Sequence, residues 1–431
     1  MEKYSKYKDS GVKWIGDIPK HWGIVELKRL TKFNPQRREE LDKETLVGYA
    51  PMDKVRSDML TPLSIQIKNL STGLTYFEEG DVVMAKVTPC FENGNVAIVP
   101  KMVHYCGYGS SELFVYRCNE EKLKSRLLLY YMLSAGFVSA GVSSMTGTGG
   151  LRRVSPTFAR NVRIPLPPLA EQRAIVSYLD GKVGQIDTYV AKQTQQIELL
   201  KELKQAVIAN AVTKGIDKKT KLKQTGISWI GSVPQHWERC RCKDVLTETK
   251  LLVGNGKHTL LSLTTNGVIV RDLSEGKGKF PKDFNTYKVV KPNDLVFCLF
   301  DVDETPRTVG LVHNHGMLTG AYNVFEAINV DTSFLYHYFI ALDNRKALKS
   351  LYKGLRKVIP LPAFMSMPLY LPPLSEQRAI VSYIEAQTAN INKLIDAYQQ
   401  QVERVKEYKQ RLISDAVTGK MNVTGKQTQT N

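Results

Sequence analysis

No run of about 18 apolar residues occurs anywhere in the 431-residue chain, which excludes an ordinary membrane-spanning helix. Its opening, Met1-Glu2-Lys3-Tyr4-Ser5-Lys6, carries charges with no apolar stretch behind them, so no secretory leader is expected there. Six cysteines do not make a disulfide framework in a chain this long, and a reducing cytoplasm is the expected compartment. No Gly-Lys pair is followed by Ser or Thr, so a P-loop is missing. Gly147-Thr148-Gly149-Gly150 follows no parallel-strand pattern, which argues against a dinucleotide site. No Asn-Pro-Pro or Asp-Pro-Pro occurs, so the usual amino-methyltransferase motif is lacking too. Cys240-Arg241-Cys242 and His313-Asn314-His315 have no second pair at zinc spacing and read as packing or loop residues. Glu-x-Lys recurs at Glu26, Glu120, Glu202, Glu248, Glu275 and Glu407, as expected by chance in a lysine-rich chain. No catalytic residue and no metal site is assigned.

Positive charge is abundant. Lys and Arg number 60 against 42 Asp and Glu, a net charge of +18. Such an excess points to a polyanionic partner, nucleic acid before anionic membrane. Its distribution is uneven. Residues 1–165 carry +7 and residues 218–370 carry +9, whereas residues 166–217 are neutral and residues 371–431 carry +2. A membrane-surface helix would need the charge on the helical segments, which are nearly neutral. Two separate basic modules fit extended DNA.

The chain is written twice. SGVKWIGDIPKHW at 10–22 returns as TGISWIGSVPQHW at 225–237, so that Trp14, Pro19, His21 and Trp22 recur as Trp229, Pro234, His236 and Trp237. LPPLAEQRAIVSYL at 166–179 returns as LPPLSEQRAIVSYI at 371–384. The repeated His-Trp pairs read as packing corners. Between these frames the two copies diverge, with faint echoes. Gly80-Asp81-Val82-Val83 resembles Asn293-Asp294-Leu295-Val296, and Gly150-Leu151-Arg152-Arg153-Val154 resembles Gly354-Leu355-Arg356-Lys357-Val358. Matched frames around divergent centres suggest two readers of different targets on one scaffold.

After each Leu-Pro-Pro-Leu the pattern turns helical, with Glu171 or Glu376 in the first turn, where the helix dipole favours an acid. The apolar spacing alternates four and three through Ile186, Val190, Gln193, Ile197, Leu200, Lys204, Val207 and Ala211. It does so again through Ile391, Ile395, Tyr398, Val402, Val405, Lys409, Leu412 and Ala416. That is a coiled-coil heptad, about 65 Å long in the first copy, with a lysine at the same place in each seam. A helix rotated slightly, seating Leu203 and Tyr408 instead, fits equally well. The centres predict short strands at 81–86, 96–99, 112–116, 295–299 and 322–326, and helices at 124–136 and 332–342.

These frames resemble the specificity subunit of type I DNA restriction-modification enzymes. The resemblance rests on Trp14–Trp22 and its copy from Trp229, on Ile164–Arg173, and on the copy ending Glu376-Gln377-Arg378. It covers nearly the whole chain, without an obvious departure. It implies an α+β fold with a pseudo-two-fold internal repeat: two α/β target recognition domains held apart by two long antiparallel coiled-coil helices. The expected layout is recognition domain 1 at 1–165, a helical spacer at 166–217, recognition domain 2 at 218–370, a second spacer at 371–425 and a polar tail at 426–431. The resemblance implies a non-catalytic reader of a split, asymmetric sequence in double-stranded DNA. It would dock two modification subunits that methylate adenine, together with translocating restriction subunits. S-adenosylmethionine, ATP and Mg would sit on those partners and none on this chain. The competing function is a stand-alone sequence-specific DNA-binding regulator.

Base reading needs Arg, Lys, Asn and Gln at groove edges, and phosphate contacts fix the register. The candidate DNA contacts are therefore Lys86, Asn93, Asn95, Arg152 and Arg153 in the first domain. In the second they are Arg271, Lys277, Lys279, Lys282, Arg307, Arg356 and Lys357. The candidate partner-binding residues on the helices are Glu171, Gln172, Arg173, Glu376, Gln377 and Arg378.

Overall fold

The computed structural model describes residues 2–37, 40–148, 150–254, 258–271, 284–352 and 357–424. The chain divides into two compact units, Met1–Gln193 with Gln400–Asn431, and Thr194–Gln399. Each unit therefore contains one variable domain, the first half of one long helix and the second half of the other.

In the first unit Gly23–Glu26 pairs antiparallel with Arg163–Leu166, so the domain is entered and left through one two-stranded ladder. Within it lies an antiparallel sheet in the order Val96–Ile98, Val82–Ala85, Leu113–Cys118, Thr31–Phe33. The central strands are apolar and buried through residues 82–85 and 113–116 because both faces are covered there. Val82, Met84, Phe114 and Tyr116 face the core that holds Ser125–Leu133, while Val83, Ala85, Leu113 and Val115 face a second core with Phe77 and Ala50. A second sheet runs Leu63–Gln66, Leu46–Ala50, Cys106–Gly109, Thr75–Glu78, and its middle pair is parallel. The single helix expected at 124–136 is instead two, Ser125–Leu133 and Ala135–Ser143, bent by 68°. The break is at Ser134, which is extended and whose hydroxyl donates to the Tyr131 carbonyl at 2.6 Å. Just past it, Gly136 lets Trp14 press directly on the backbone, where a Cβ would meet the indole at 2.9 Å.

The second unit repeats the first sheet strand for strand: Leu246–Thr249, Asn323–Ala327, Leu295–Phe297, Val309–Leu311. Leu295, Phe297 and Phe325 face the helix Thr332–Asn344, and Val296 and Val324 face the other way. The echo at Asp81 and Asp294 marks one shared turn. Gly80 and Asn293 both have positive φ, and each aspartate accepts a backbone N–H at 2.8 Å, from Glu78 or Lys291. The second layer is repeated as well, in the order Gly267–Val270, Leu261–Thr264, Gly316–Leu318, Lys288–Val290, with the parallel middle pair reduced to one bridge between Leu260 and Met317.

The long helices are Leu169–Lys214 and Leu374–Val417. Within each unit their halves run antiparallel: Tyr178 meets Met421 and Asp187 meets Lys409 in the first, while Lys204 meets Asn392 in the second. The seam is the one that carries the lysines. Ile197, Ile391, Ile395, Val402 and Leu412 are buried, whereas Leu203 and Tyr408 are 50% and 45% exposed, so the rotated alternative is not adopted. Both lysines lie in the seam by turning their ammonium groups sideways to a polar residue on the facing helix. Among the described residues no single helix is long and apolar enough to cross a membrane.

Candidate nucleic-acid interface

In the first unit the strand Val82–Ala85 continues in extended form to Val87, which bridges Arg153 antiparallel. Thr88 ties the loop down: its N–H donates to the Arg152 carbonyl at 2.9 Å, its hydroxyl donates to Gly150 at 2.7 Å, and the Arg152 N–H donates to that hydroxyl at 3.0 Å. Gly147, at φ +126, has no room for a Cβ against the Leu151 carbonyl. Arg153 clamps Glu112 with two bonds of 2.9 and 2.7 Å, and this guanidinium holds the Glu112 carboxyl below the usual range. Lys86 donates to the Ser111 carbonyl at 2.7 Å and stands over the Phe114 ring. Lys86 and Arg153 thus flank Glu112 together, whereas the Arg152 side chain reaches the Val142 carbonyl. Arg153 is already paired, while among the described residues Arg152 makes one 3.3 Å side-chain bond, to the Val142 carbonyl. Asn93 is exposed on the neighbouring turn. Asn95 is buried, and its carbonyl accepts from Ala85.

In the second unit Phe300 bridges Val358, Asp301 N–H donates to the Lys357 carbonyl, and Ile359 N–H donates to Leu299. Set beside Val87 with Arg153, Thr88 with Arg152 and Val154 with Lys86, these bonds keep the register of the echo at Asp81 and Asp294 and correct that of the echo at Arg152 and Arg153 by one residue. Lys357 is the counterpart of Arg152, not of Arg153, and the place of Arg153 is taken by Val358. The ladder fixes the pairing, and similarity of residue type misplaced it by one. Lys357 is ion-paired with Asp303 at 3.3 Å and with Glu304. Arg307 is engaged instead at the end of the helix Thr332–Asn344. It is 20% exposed and bonds Asp343 at 3.1 Å and Asn344 at 3.0 Å, and Asp343 is also held by Lys346 and by the Thr308 N–H. Arg271 follows the strand Gly267–Val270, and its N–H donates to the Leu260 carbonyl. Lys277, Lys279, Lys282 and Arg356 lie outside the described residues.

The repeated frames meet in a joint that the sequence signalled but did not explain. Glu171, in the first turn of its helix, accepts from Trp22 Nε1 at 2.9 Å and from the Tyr4 hydroxyl at 3.1 Å, and lies 2.6 Å from His21 Nε2. Glu376 likewise accepts from Trp237 at 3.2 Å and lies 2.7 Å from His236. Gln172 and Gln377 are buried. Gln172 accepts from Lys124 N–H at 3.0 Å and donates to the Lys122 and Pro167 carbonyls; Gln377 accepts from Asp331 N–H at 2.8 Å and donates to Pro372. Each joint is completed by the end of the other helix. Gly419, at φ +73, lies against Pro19 and Trp22, and Gly215, also at φ +73, lies against Pro234 and Trp237. Of the residues proposed to meet partners, the Glu and Gln pairs are therefore engaged inside the chain, and Arg173 and Arg378 face solvent. The signal for this joint was the recurrence of His-Trp and Glu-Gln together in both copies.

The family model of the type I restriction modification DNA specificity domain matches residues 19–199 and 310–404. The chain is 27% identical over 257 residues to the type I restriction enzyme EcoAI specificity subunit of Escherichia coli, covering 59% of this chain and 41% of that protein. The chain thus matches about two fifths of the length of that relative. It is 26% identical over 429 residues to the MjaVIII specificity subunit of Methanocaldococcus jannaschii, covering 94% of each. A chain solved in a type I R-M system has the same fold, with a TM-score of 0.72 at 18% identity over 94% of this chain and 99% of that one. With its duplicated sheet and its duplicated helix joints, this chain belongs to the family of type I restriction modification DNA specificity domains.

Proposed function

We propose that this chain is the DNA-reading subunit of a type I restriction-modification complex. Each variable domain reads one half of a split, asymmetric sequence in double-stranded DNA. The observation that carries this reading is one two-layered strand order built twice from two centres that share little sequence. A shared scaffold that presents different residues is what two independent readers require. The positive charge of both domains supports sequence-independent attraction to phosphates, on which base contacts then discriminate. Arg152, whose side chain meets no carboxylate among the described residues, is the first choice for a phosphate contact; Lys357 stands at the equivalent place but is held by Asp303 and Glu304.

The helix pair docks two modification subunits, with Arg173 and Arg378 as exposed contacts, and restriction subunits join that assembly. The chain itself is non-catalytic. S-adenosylmethionine, ATP and Mg belong to the partner subunits, and the complex works in the cytoplasm. Methylation-sensitive sequencing of DNA from cells carrying this chain with its modification subunits tests the reading. A bipartite methylated motif that disappears when this chain is deleted is expected. Methylation or cleavage by the purified chain without partners would overturn it.

A further inference from the structure

The two units solve one electrostatic problem differently. In the first, the seam lysine Lys409 is neutralised by Asp187 at 2.7 Å. In the second, its counterpart Lys204 faces Asn392 at 2.9 Å, an amide where the repeat has placed a carboxylate. Beside Lys204 opens a cleft of about 630 Å³ within the second unit, between the helices and the recognition domain. Lys201, Lys204, Arg307 and His337 line it, and none of its described lining residues is acidic. Lys201 is bonded to Glu198 on the open helix surface. Arg307 shares its one carboxylate, Asp343, with Lys346, so two cations divide one anion. His337 Nδ1 is buried with no hydrogen-bond partner among the described residues. Burial, and then the charge of Arg307, push the Lys204 ammonium below its ordinary range, as expected where positive charge is left uncompensated. In the first unit Arg126 is bound to both Asp58 and Asp180, with the Tyr130 hydroxyl donating to Asp180.

We propose that the cleft beside Lys204 and Arg307 binds a phosphate group, supplied either by a free nucleotide or by the backbone of bound DNA. Cationic donors converge from the long helix and from the recognition domain, which suits a tetrahedral dianion. Ile208, Ile340, Ile395 and Tyr336 form an apolar wall, and the volume is that of a small-ligand site rather than of a single ion. Residues on both the helix and the domain hold the phosphate, so its binding braces the joint between them.

The test uses the full chain and the variant Asn392→Asp, which installs the carboxylate that the first unit already has. This substitution supplies an internal anion and is expected to keep or raise the melting temperature. Lys204→Gln serves as a second variant should Asn392→Asp fail to fold. Lys406→Gln, the counterpart of Lys201 in the first unit, removes one positive charge elsewhere and serves as the charge control. Calorimetric titration with adenosine 5′-monophosphate and with inorganic phosphate reads the free-ligand source. Binding by the native chain and the control, weakened at least about tenfold in Asn392→Asp, is expected there. The salt dependence of DNA affinity reads the backbone source, where Asn392→Asp lowers the slope by about one unit relative to the control. If neither the nucleotide affinity nor the salt slope responds, the cleft takes no phosphate and the proposal fails. Wild-type DNA binding in the same assay reports separately on the reading proposed above.

Discussion

Gln172 and Gln377 are amides buried in an otherwise apolar core, each satisfying backbone groups from two segments. Replacing Gln172 by Leu keeps most of the volume and strands those groups without partners. A loss of about 1–3 kcal/mol per stranded group is expected, read as a lowered midpoint in chemical denaturation. Gln377→Leu should act alike on the second unit, and unchanged midpoints would show that water replaces the amide. The glycines at the helix ends permit a sharper comparison. An alanine at Gly419 meets positive φ together with overlap on Pro19, whereas at Gly215 the nearest atom is the movable Glu376 carboxylate at 3.3 Å. Both variants pay the left-handed backbone cost of about 1–2 kcal/mol, and Gly419→Ala is expected to melt at the lower temperature. At the proposed interface Arg152→Ala should reduce the salt slope of DNA binding by about one unit, and Lys357→Ala should change it less, because Asp303 and Glu304 already neutralise Lys357. Arg153→Ala should change it less, because Glu112 already neutralises Arg153. Equal effects of Arg152→Ala and Arg153→Ala would show that the Glu112 clamp opens on DNA.

At the scale of the element, the helices show how much a heptad decides. The buried seam is the one read from spacing alone, and the sequence left open only the choice between Lys204 and Leu203. That choice depends on the facing helix, where Asn392 and Asp187 offer each lysine a polar partner. The seam also sets what an insertion can do. Four residues near Gln195, matched by four near Gln400, add about 6 Å and slightly more than one turn, so the apolar stripe continues as a stutter. The doubly lengthened protein, assembled with its modification subunits, is expected to methylate the same two half-sequences across a longer gap. Two inserted residues turn the stripe by about 200°, and a fall in helical melting temperature is expected. An unchanged gap in the four-residue variant would show that the helices serve as a partner platform and not as a ruler.

At the scale of the molecule, the duplication makes each half a test of the other. Replacing residues 23–160 with the equivalent part of a relative should alter one half of the methylated motif and leave the other intact. The ladder of Gly23–Glu26 with Arg163–Leu166 lies at the edges of the exchanged segment and holds it in the native frame. Changes in both half-sequences, read by methylation-sensitive sequencing, would mean that the domains do not read independently.

The sequence by itself determined the repeat, the two long helices and their seam, the five candidate strands in the sheet cores, and the family to which the frames point. Such features rest on local periodicity and on residues recurring at fixed offsets, and both survive in a linear string. Tertiary structure decided the rest. It paired Lys357 with Arg152, because register is set by ladder bonds between segments some 60 residues apart in the chain, as with Thr88 and Arg152. It buried Asn95 and tied Arg307 to Asp343, because whether a polar residue is presented or consumed depends on neighbours that only folding supplies. It turned the repeated glutamates to His-Trp corners about 150 residues earlier and buried the glutamines beside them against other backbone groups, leaving the adjacent arginines outside. Charge is legible in a sequence, but the partner that neutralises it is a matter of distance, and distance between remote residues exists only in the fold.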